Sequence, residues 1–373
     1  MKLFDSLQIV PDTRVDRCKK YPLDYILLIV FTASISGNLS WYLMHDYAVD
    51  HHEDLKRLYE KLSGRECNIG IPSHDTLDRV IKLLDPKVMH KAQMHFLEEY
   101  VNLTVPEHLC IDGKTMRGVK KMDFDAECHC VSAYSPKIFA TIAQEYISKK
   151  SNEINALKEL LTILDLENTV VTIDAIGTQT ELVDLICEKK GDYVLNVKRN
   201  QPHTLEEIEA LFCPYFASHI QVTDSTDGDH GRVEIRRLES ILAPLELEEN
   251  PILSKWRNLR SVHKMTRTTT NKKTKKTTIE VAYYISSLED CEEVFKLIRE
   301  HWAVESMHYM LDVIFKEDQS LKRAGNAAQN MNIINKLNLT ILQMKKAETG
   351  MPISRLIRKF ARMKPSEIIE MKL

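Results

Sequence analysis

Over the first hundred residues, apolar positions recur with the period of a helix. Residues 25–47 are apolar with helical spacing, and Leu55, Leu58 and Leu62 follow at i, i+3 and i+7. Ser73 stands as an N-cap before Leu77, Val80, Ile81 and Leu84, with Pro86 closing that helix. After Pro106 the pattern changes. Residues 108–112 form a short apolar run ending in Asp112-Gly113, a strand and then a turn, and residues 128–134 and 138–147 are strand-like too. Residues 151–164 predict a helix, 169–173 a strand ending at Asp174, 178–189 a helix and 193–197 a strand. That order suits a meander followed by β-α-β crossovers to a parallel sheet. Residues 203–288 alternate polar and apolar around two turn-rich patches, which predicts a β-rich insertion. A long helix is expected over 290–315, and further helices over 326–345 and 352–362. The fold class is therefore α/β: a helical region over 1–104, then a mixed sheet flanked by helices over 105–373, with the insertion before a late helix.

Composition narrows the class. The 373 residues include 11 glycines and 12 prolines, too few for a collagen-like or linker-dominated chain. The longest strongly apolar run, residues 26–31, is far shorter than the ~20 residues of a membrane span and predicts a buried helix. No membrane partner is expected. The eight cysteines are scattered without the spacing of a disulfide framework, as in a cytoplasmic protein with reduced thiols. In Cys128-His129-Cys130, strand alternation sends the imidazole to the face opposite the thiols, which speaks against zinc.

The candidate chemistry is acidic. Asp112 and Asp174 each end a core strand, and ligands of parallel sheets bind beyond the carboxyl ends of the strands. Taken singly, either is explained as a turn or cap residue. On the late helix, His301, Glu305, His308 and Asp312 share one face, with Trp302 and Tyr309 beside it. Three carboxylates from two strands and a helix are the donor set that two-metal phosphoryl chemistry uses, with hard Mg²⁺ or Mn²⁺ on oxygen ligands. Glycine-rich phosphate loops and G-x-S-x-G motifs are absent.

Several motifs in register give these residues a context. They are Gly70-Ile71-Pro72-Ser73-His74-Asp75-Thr76, then Ile111-Asp112-Gly113-Lys114-Thr115-Met116-Arg117-Gly118, then Lys150-Ser151-Asn152-Glu153. Thr172-Ile173-Asp174-Ala175 with Gln179 follows, then Lys198 with Asn200 and Gln201, then His230-Gly231-Arg232 with Glu234 and Arg236. Arg299, His301-Trp302, Glu305, Leu311-Asp312-Val313 and Glu317-Asp318 complete the series. In these motifs the chain resembles the H-repeat-associated insertion-sequence transposases, DDE transposases with a ribonuclease-H-like core. The resemblance implies that Asp112, Asp174 and Glu305 are the catalytic, metal-binding triad. It implies two Mg²⁺ or Mn²⁺ ions as cofactors, with His301, Trp302 and Asp312 in support. The implied partner is double-stranded DNA, both element ends and target, held by a homo-oligomer, with residues 1–104 binding the ends. The implied reaction is cleavage at the ends and transfer of the 3′-OH into target DNA. A metal-dependent nuclease without joining activity, and an inactive DNA-binding descendant of a transposase, remain as alternatives.

The charge pattern bears on that partner. A total of 51 Lys and Arg against 54 Asp and Glu gives −3, unlike a strongly basic nucleic-acid binder. The charge is segregated, however. Residues 14–20, 264–276 and 345–364 carry +3, +6 and +6, which leaves −18 for the rest of the chain. Lys114, Arg117 and Lys198, close after core strands, are candidate phosphate ligands, with Asn200 and Gln201 beside the last. The loop 264–276, inside the insertion, is the best phosphate-binding candidate there, with Lys272, Lys273, Lys275 and Lys276 at its most basic part.

Overall fold

The computed structural model describes residues 2–66, 69–101, 107–118, 128–147, 153–213, 220–228, 231–242 and 249–371. Lys150-Ser151-Asn152 and His230, singled out above, lie outside the described residues. The chain opens with helices α1 (Lys2–Gln8), α2 (Leu23–Ile35), α3 (Trp41–Asp50), α4 (His52–Ser63), α5 (His74–Ile81) and α6 (Pro86–Val101). The expected helix over 25–47 is broken in two. Gly37, at φ 86°, ends the first half, and the Ser40 hydroxyl accepts from the Leu43 N–H to start the second. Pro86 opens α6 rather than closing the preceding helix, since a first-turn residue needs no N–H. Nearly every residue of α2 is buried, as expected of a helix that is apolar all round. No helix among the described residues is long and apolar enough to cross a membrane.

The sheet follows: β1 (His108–Thr115), β2 (His129–Ser135), β3 (Ala140–Ile147), helix α7 (Glu153–Ile163), β4 (Val170–Ile173), helix α8 (Thr180–Glu188) and β5 (Asp192–Val197). Helix α9 (Pro202–Leu211) leads into β6 (Gln221–Asp227), β7 (Arg232–Leu242), β8 (Ser261–Asn271) and β9 (Thr277–Ser286). These nine strands form a single sheet in the order β3-β2-β1-β4-β5-β9-β8-β7-β6. β1, β4 and β5 run parallel, and the remaining pairings are antiparallel. The first five strands form the mixed, ribonuclease-H-like half. The insertion continues it through β9, hydrogen-bonded to the edge of β5.

The late helix bends at His301 into α10 (Cys291–Glu300) and α11 (Trp302–Ile314). It is followed by α12 (Ala327–Thr349), α13 (Ile353–Phe360) and α14 (Pro365–Glu370). One core joins α1 to α6 with α11, α12, α13 and α14, through side chains such as Phe31, Phe96, Met307, Leu339 and Phe360. A second core, with Ile111, Leu160, Ile173 and Val183, fills the opposite side of β1 and β4.

The insertion is tied to pH by His263 on β8. Its buried ring bridges the Ser240 and Ser261 hydroxyls at 2.8 Å each, and burial pushes its pKa from 6.5 down to about 3. The folded protein keeps this ring neutral where the unfolded chain takes up a proton. His263 therefore supports the fold fully above about pH 6.5 and progressively less below it, down to about pH 3. At about pH 4.5 the loss is about 3 kcal/mol. Urea unfolding at neutral pH and near pH 4.5 is expected to show a smaller acid loss for His263→Gln than for the wild type. Equal losses would remove His263 as the cause.

Candidate active site

Strand register seats the two aspartates. Ile111 of β1 pairs with Ile173 of β4 in parallel, so Asp112 and Asp174 take equivalent positions on neighbouring strands, which lie ~4.8 Å apart. Both isoleucines face the second core, so the aspartates point to the other side, toward α11. Asp112 is not at the end of its strand, because β1 runs on to Thr115 and Asp112 pairs with Ser132 of β2. Only the parallel pairing with β4 stops there.

Asp112 accepts from the Gly113 N–H at 2.8 Å and lies 3.3 Å from Nδ1 of His308 on α11. Burial is the largest influence and pushes its pKa up, but the His308 contact, the nearby His301 and the Gly113 N–H together outweigh it and hold the carboxyl below its ordinary value. Burial lowers His308, leaving a neutral ring to donate. Asp174 caps the turn at Ala175–Gly177, accepting from the Ala175 N–H at 2.6 Å and from Lys198 at 3.3 Å. Glu305 projects from the first turn of α11, and its pKa is raised by burial and then by the charges of Asp112 and Asp174. The three carboxylates therefore sense one another. Among the described residues, no three His, Cys, Asp or Glu side chains are drawn together as a ready-made ion-binding group. The close partners of Asp112 and Asp174 are His308 and Lys198.

A hydrogen-bonded chain fixes His301 at the bend. Its Nδ1 lies 2.8 Å from the Thr172 hydroxyl, which lies 2.9 Å from Nε2 of His108, whose Nδ1 is 3.2 Å from Glu300. Burial pushes His108 down to about 4 and also lowers His301. Gly113 is required by close approach, since a Cβ there would collide with Glu153 and with His129. That pair, 3.4 Å apart, sits beneath the backbone that carries Asp112.

The expected DNA ligands are placed unequally. Lys114 is only 9% exposed, and its ammonium is enclosed by Asp312 and by Glu317, the latter at 3.2 Å. Burial alone would lower its pKa, but the charges and hydrogen bonds of Glu317 and Asp312 together keep it raised, so Lys114, Asp312 and Glu317 form one ionic network. Arg117 is exposed, and its N–H donates to Asp318 at 3.1 Å. Asn200 and Gln201 are latches, donating to the Ala175 and Thr178 carbonyls at 2.6 and 2.9 Å, and they hold the Lys198 loop beside Asp174. Lys272, Lys273, Lys275 and Lys276 are exposed at the β8–β9 turn, and Lys272 donates to the Gly228 carbonyl at 3.0 Å.

A cleft of about 870 Å³ opens along this face of the sheet, bounded by Asp174, Lys198, His301, Trp302 and Glu305. Its far wall is arginine-rich: Arg236, Arg267 and Arg299, of which Arg267 lies within the basic stretch 264–276. The signal was present in Arg232, Glu234 and Arg236, since alternate residues of a strand share a face.

Comparisons with known proteins place the chain in a family. A family model described as "Transposase DDE domain" matches residues 103–341, and one described as "DDE_Tnp_1-associated" matches residues 4–97. The "Putative transposase YncI" of Escherichia coli O157:H7 is 33% identical over 347 residues, 91% of this chain and 87% of that protein. The "H repeat-associated putative transposase YhhI" of Escherichia coli K12 is 32% identical over 349 residues, 91% and 90% of the two chains. A piggyBac transposase, solved as a synaptic complex with hairpin DNA, is similar at a TM-score of 0.48 and 14% identity, over 100% of this chain and 80% of that one.

The chain belongs to the DDE transposase family, within its H-repeat-associated group. Its function is that of an insertion-sequence transposase, a DNA-binding enzyme that breaks and rejoins phosphodiester bonds, and the family in general uses divalent metal.

Proposed function

We propose that Asp112, Asp174 and Glu305 hold two divalent ions, Mg²⁺ or Mn²⁺, and that the chain cuts element ends and transfers the freed 3′-OH into target DNA. The donor set fits such ions: three carboxylates, all oxygen, with Glu305 raised by burial and then by the charges of the other two. Bound there, the ions would supply polarisation of the attacking oxygen and stabilisation of the leaving one. The protein's own groups do the positioning. His308 orients Asp112, Lys198 steadies Asp174 until a cation replaces it, and the Thr172–His301 bond sets the bend from which Glu305 projects. The observation that carries the reading is the Ile111–Ile173 register, which sets both aspartates under α11.

Joining two ends requires at least two copies on the DNA, and residues 1–104 are the proposed end-binding part. The cytoplasm, where the DNA lies, is the proposed compartment. The purified protein, incubated with Mg²⁺, labelled duplexes carrying the element's ends and a plasmid target, is expected to yield both cut ends and joined product. Cutting without joining would make it a nuclease, and neither product would make it an inactive descendant.

A further inference from the structure

Three arginines of the insertion and of α10 line the cleft with Asp174 and Glu305, each already engaged by a carboxylate. The sheet register makes this row. Arg236 of β7 pairs with Arg267 of β8, and Arg267 pairs with Glu280 of β9, so all three side chains stand abreast on one face. Glu234, two residues from Arg236 and on the same face, meets Arg236 Nη2 at 2.7 Å and Arg267 Nε at 3.9 Å. Asp227 on β6 bonds Arg236 and lies 3.0 Å from Arg299 Nη2. Glu280 accepts from Arg267 Nε at 3.0 Å. The Arg267 guanidinium also stacks on the ring of Trp302, 4.8 Å from its centroid and three residues before Glu305.

The carboxylates differ in a way that matters. Glu234 is 15% exposed and lies between two guanidinium groups, whereas Asp227 and Glu280 are 47% and 62% exposed. Exposed ion pairs are weak and screened by salt, while a guanidinium fork binds a phosphate through two parallel hydrogen bonds. We propose that Arg236, Arg267 and Arg299 form the wall that grips the DNA backbone opposite the acids, and that Asp227 and Glu280 are placeholders which backbone phosphates displace. Glu234 is the fixed positioning residue that keeps Arg236 and Arg267 aligned. The proposal rests on the transposase reading of this cleft, and it assigns the grip on substrate to residues on the insertion's sheet face rather than to its lysine-rich turn. In the free protein the row is nearly neutral, with three arginines against three carboxylates, so the cleft meets DNA without a large exposed field. Loading exchanges internal pairs for phosphate.

The test is anisotropy of a fluorescein-labelled DNA duplex titrated with the full chain in EDTA over a range of KCl, so that binding is read without cutting. Glu280→Gln is expected to bind about twofold to fivefold tighter. Arg267→Ala is expected to bind at least about tenfold more weakly, with a salt slope shallower by roughly 0.9 for each phosphate that the variant leaves unneutralised. Arg267→Lys should restore less than half of that affinity, since it returns the charge without the fork. If Glu280→Gln binds no tighter while melting like the wild type, the pairs only brace the sheet and the proposal fails. It fails equally if Arg267→Ala, with an unchanged circular dichroism melt, binds like the wild type. Tighter binding by Glu280→Gln together with a wild type that cuts nothing in Mg²⁺ would uphold the arginine wall and refute the catalytic reading.

Discussion

The Asp112→Asn protein is expected to fold, bind DNA and lose strand cleavage by roughly 10³-fold or more, the loss of several kcal/mol of charge stabilisation at the scissile phosphate. The substitution is nearly isosteric. An amide oxygen still accepts from the Gly113 N–H, which now donates to Asp112 at 2.8 Å, and from the neutral His308 ring. What disappears is the charge that His308 keeps ionised against burial, the same charge that raises Glu305. Single-turnover cleavage of end-bearing duplexes, read beside a thermal melt, separates the two effects. A variant that cuts at the wild-type rate would remove Asp112 from the chemistry.

The largest stability effect is expected at Glu317. This carboxylate, 4% exposed, takes Lys114 at 3.2 Å and accepts from the side-chain amides of Asn332 at 3.0 and 3.1 Å and Asn335 at 3.2 Å. Glu317→Ala leaves a buried ammonium short of a counter-charge and two amides without their acceptor. Destabilisation of about 3–5 kcal/mol is expected in urea unfolding. Glu317→Gln, which keeps an acceptor for the amides, should lose less. A shift below about 1 kcal/mol for the alanine variant would show that the network relaxes around the gap.

Local signals carried much of this architecture. The short apolar runs closed by Asp112 and Asp174 were legible as strands, because β-branched and apolar residues beside an aspartate leave few other solutions. The break at Gly37 was harder to place, since helical periodicity continues across it and only φ 86° betrays the turn. The enclosure of Lys114 was not legible for a plain reason. A lysine after a strand is ordinarily solvated, and its buried partner Glu317 lies some two hundred residues away. The docking of β9 on β5 was illegible for the same reason, as strand pairing at a distance leaves no local trace. Of the three arginines in the row, only Arg236 was written in a local spacing, Arg232-x-Glu234-x-Arg236. Arg267 and Glu280 became its neighbours only through cross-strand register.

The core shared by the first and last helices bears on how such a gene is lost. Helix α2 is buried against α12, and α4 is stitched to the final helix by Ser366 donating to Asp54 and by Lys61 meeting Glu370 at 2.9 Å. A premature stop ahead of α12 would strip the apolar cover from α2, and the product would be cleared by proteases rather than persist as a DNA-binding remnant. Inactivation by truncation is then a single step.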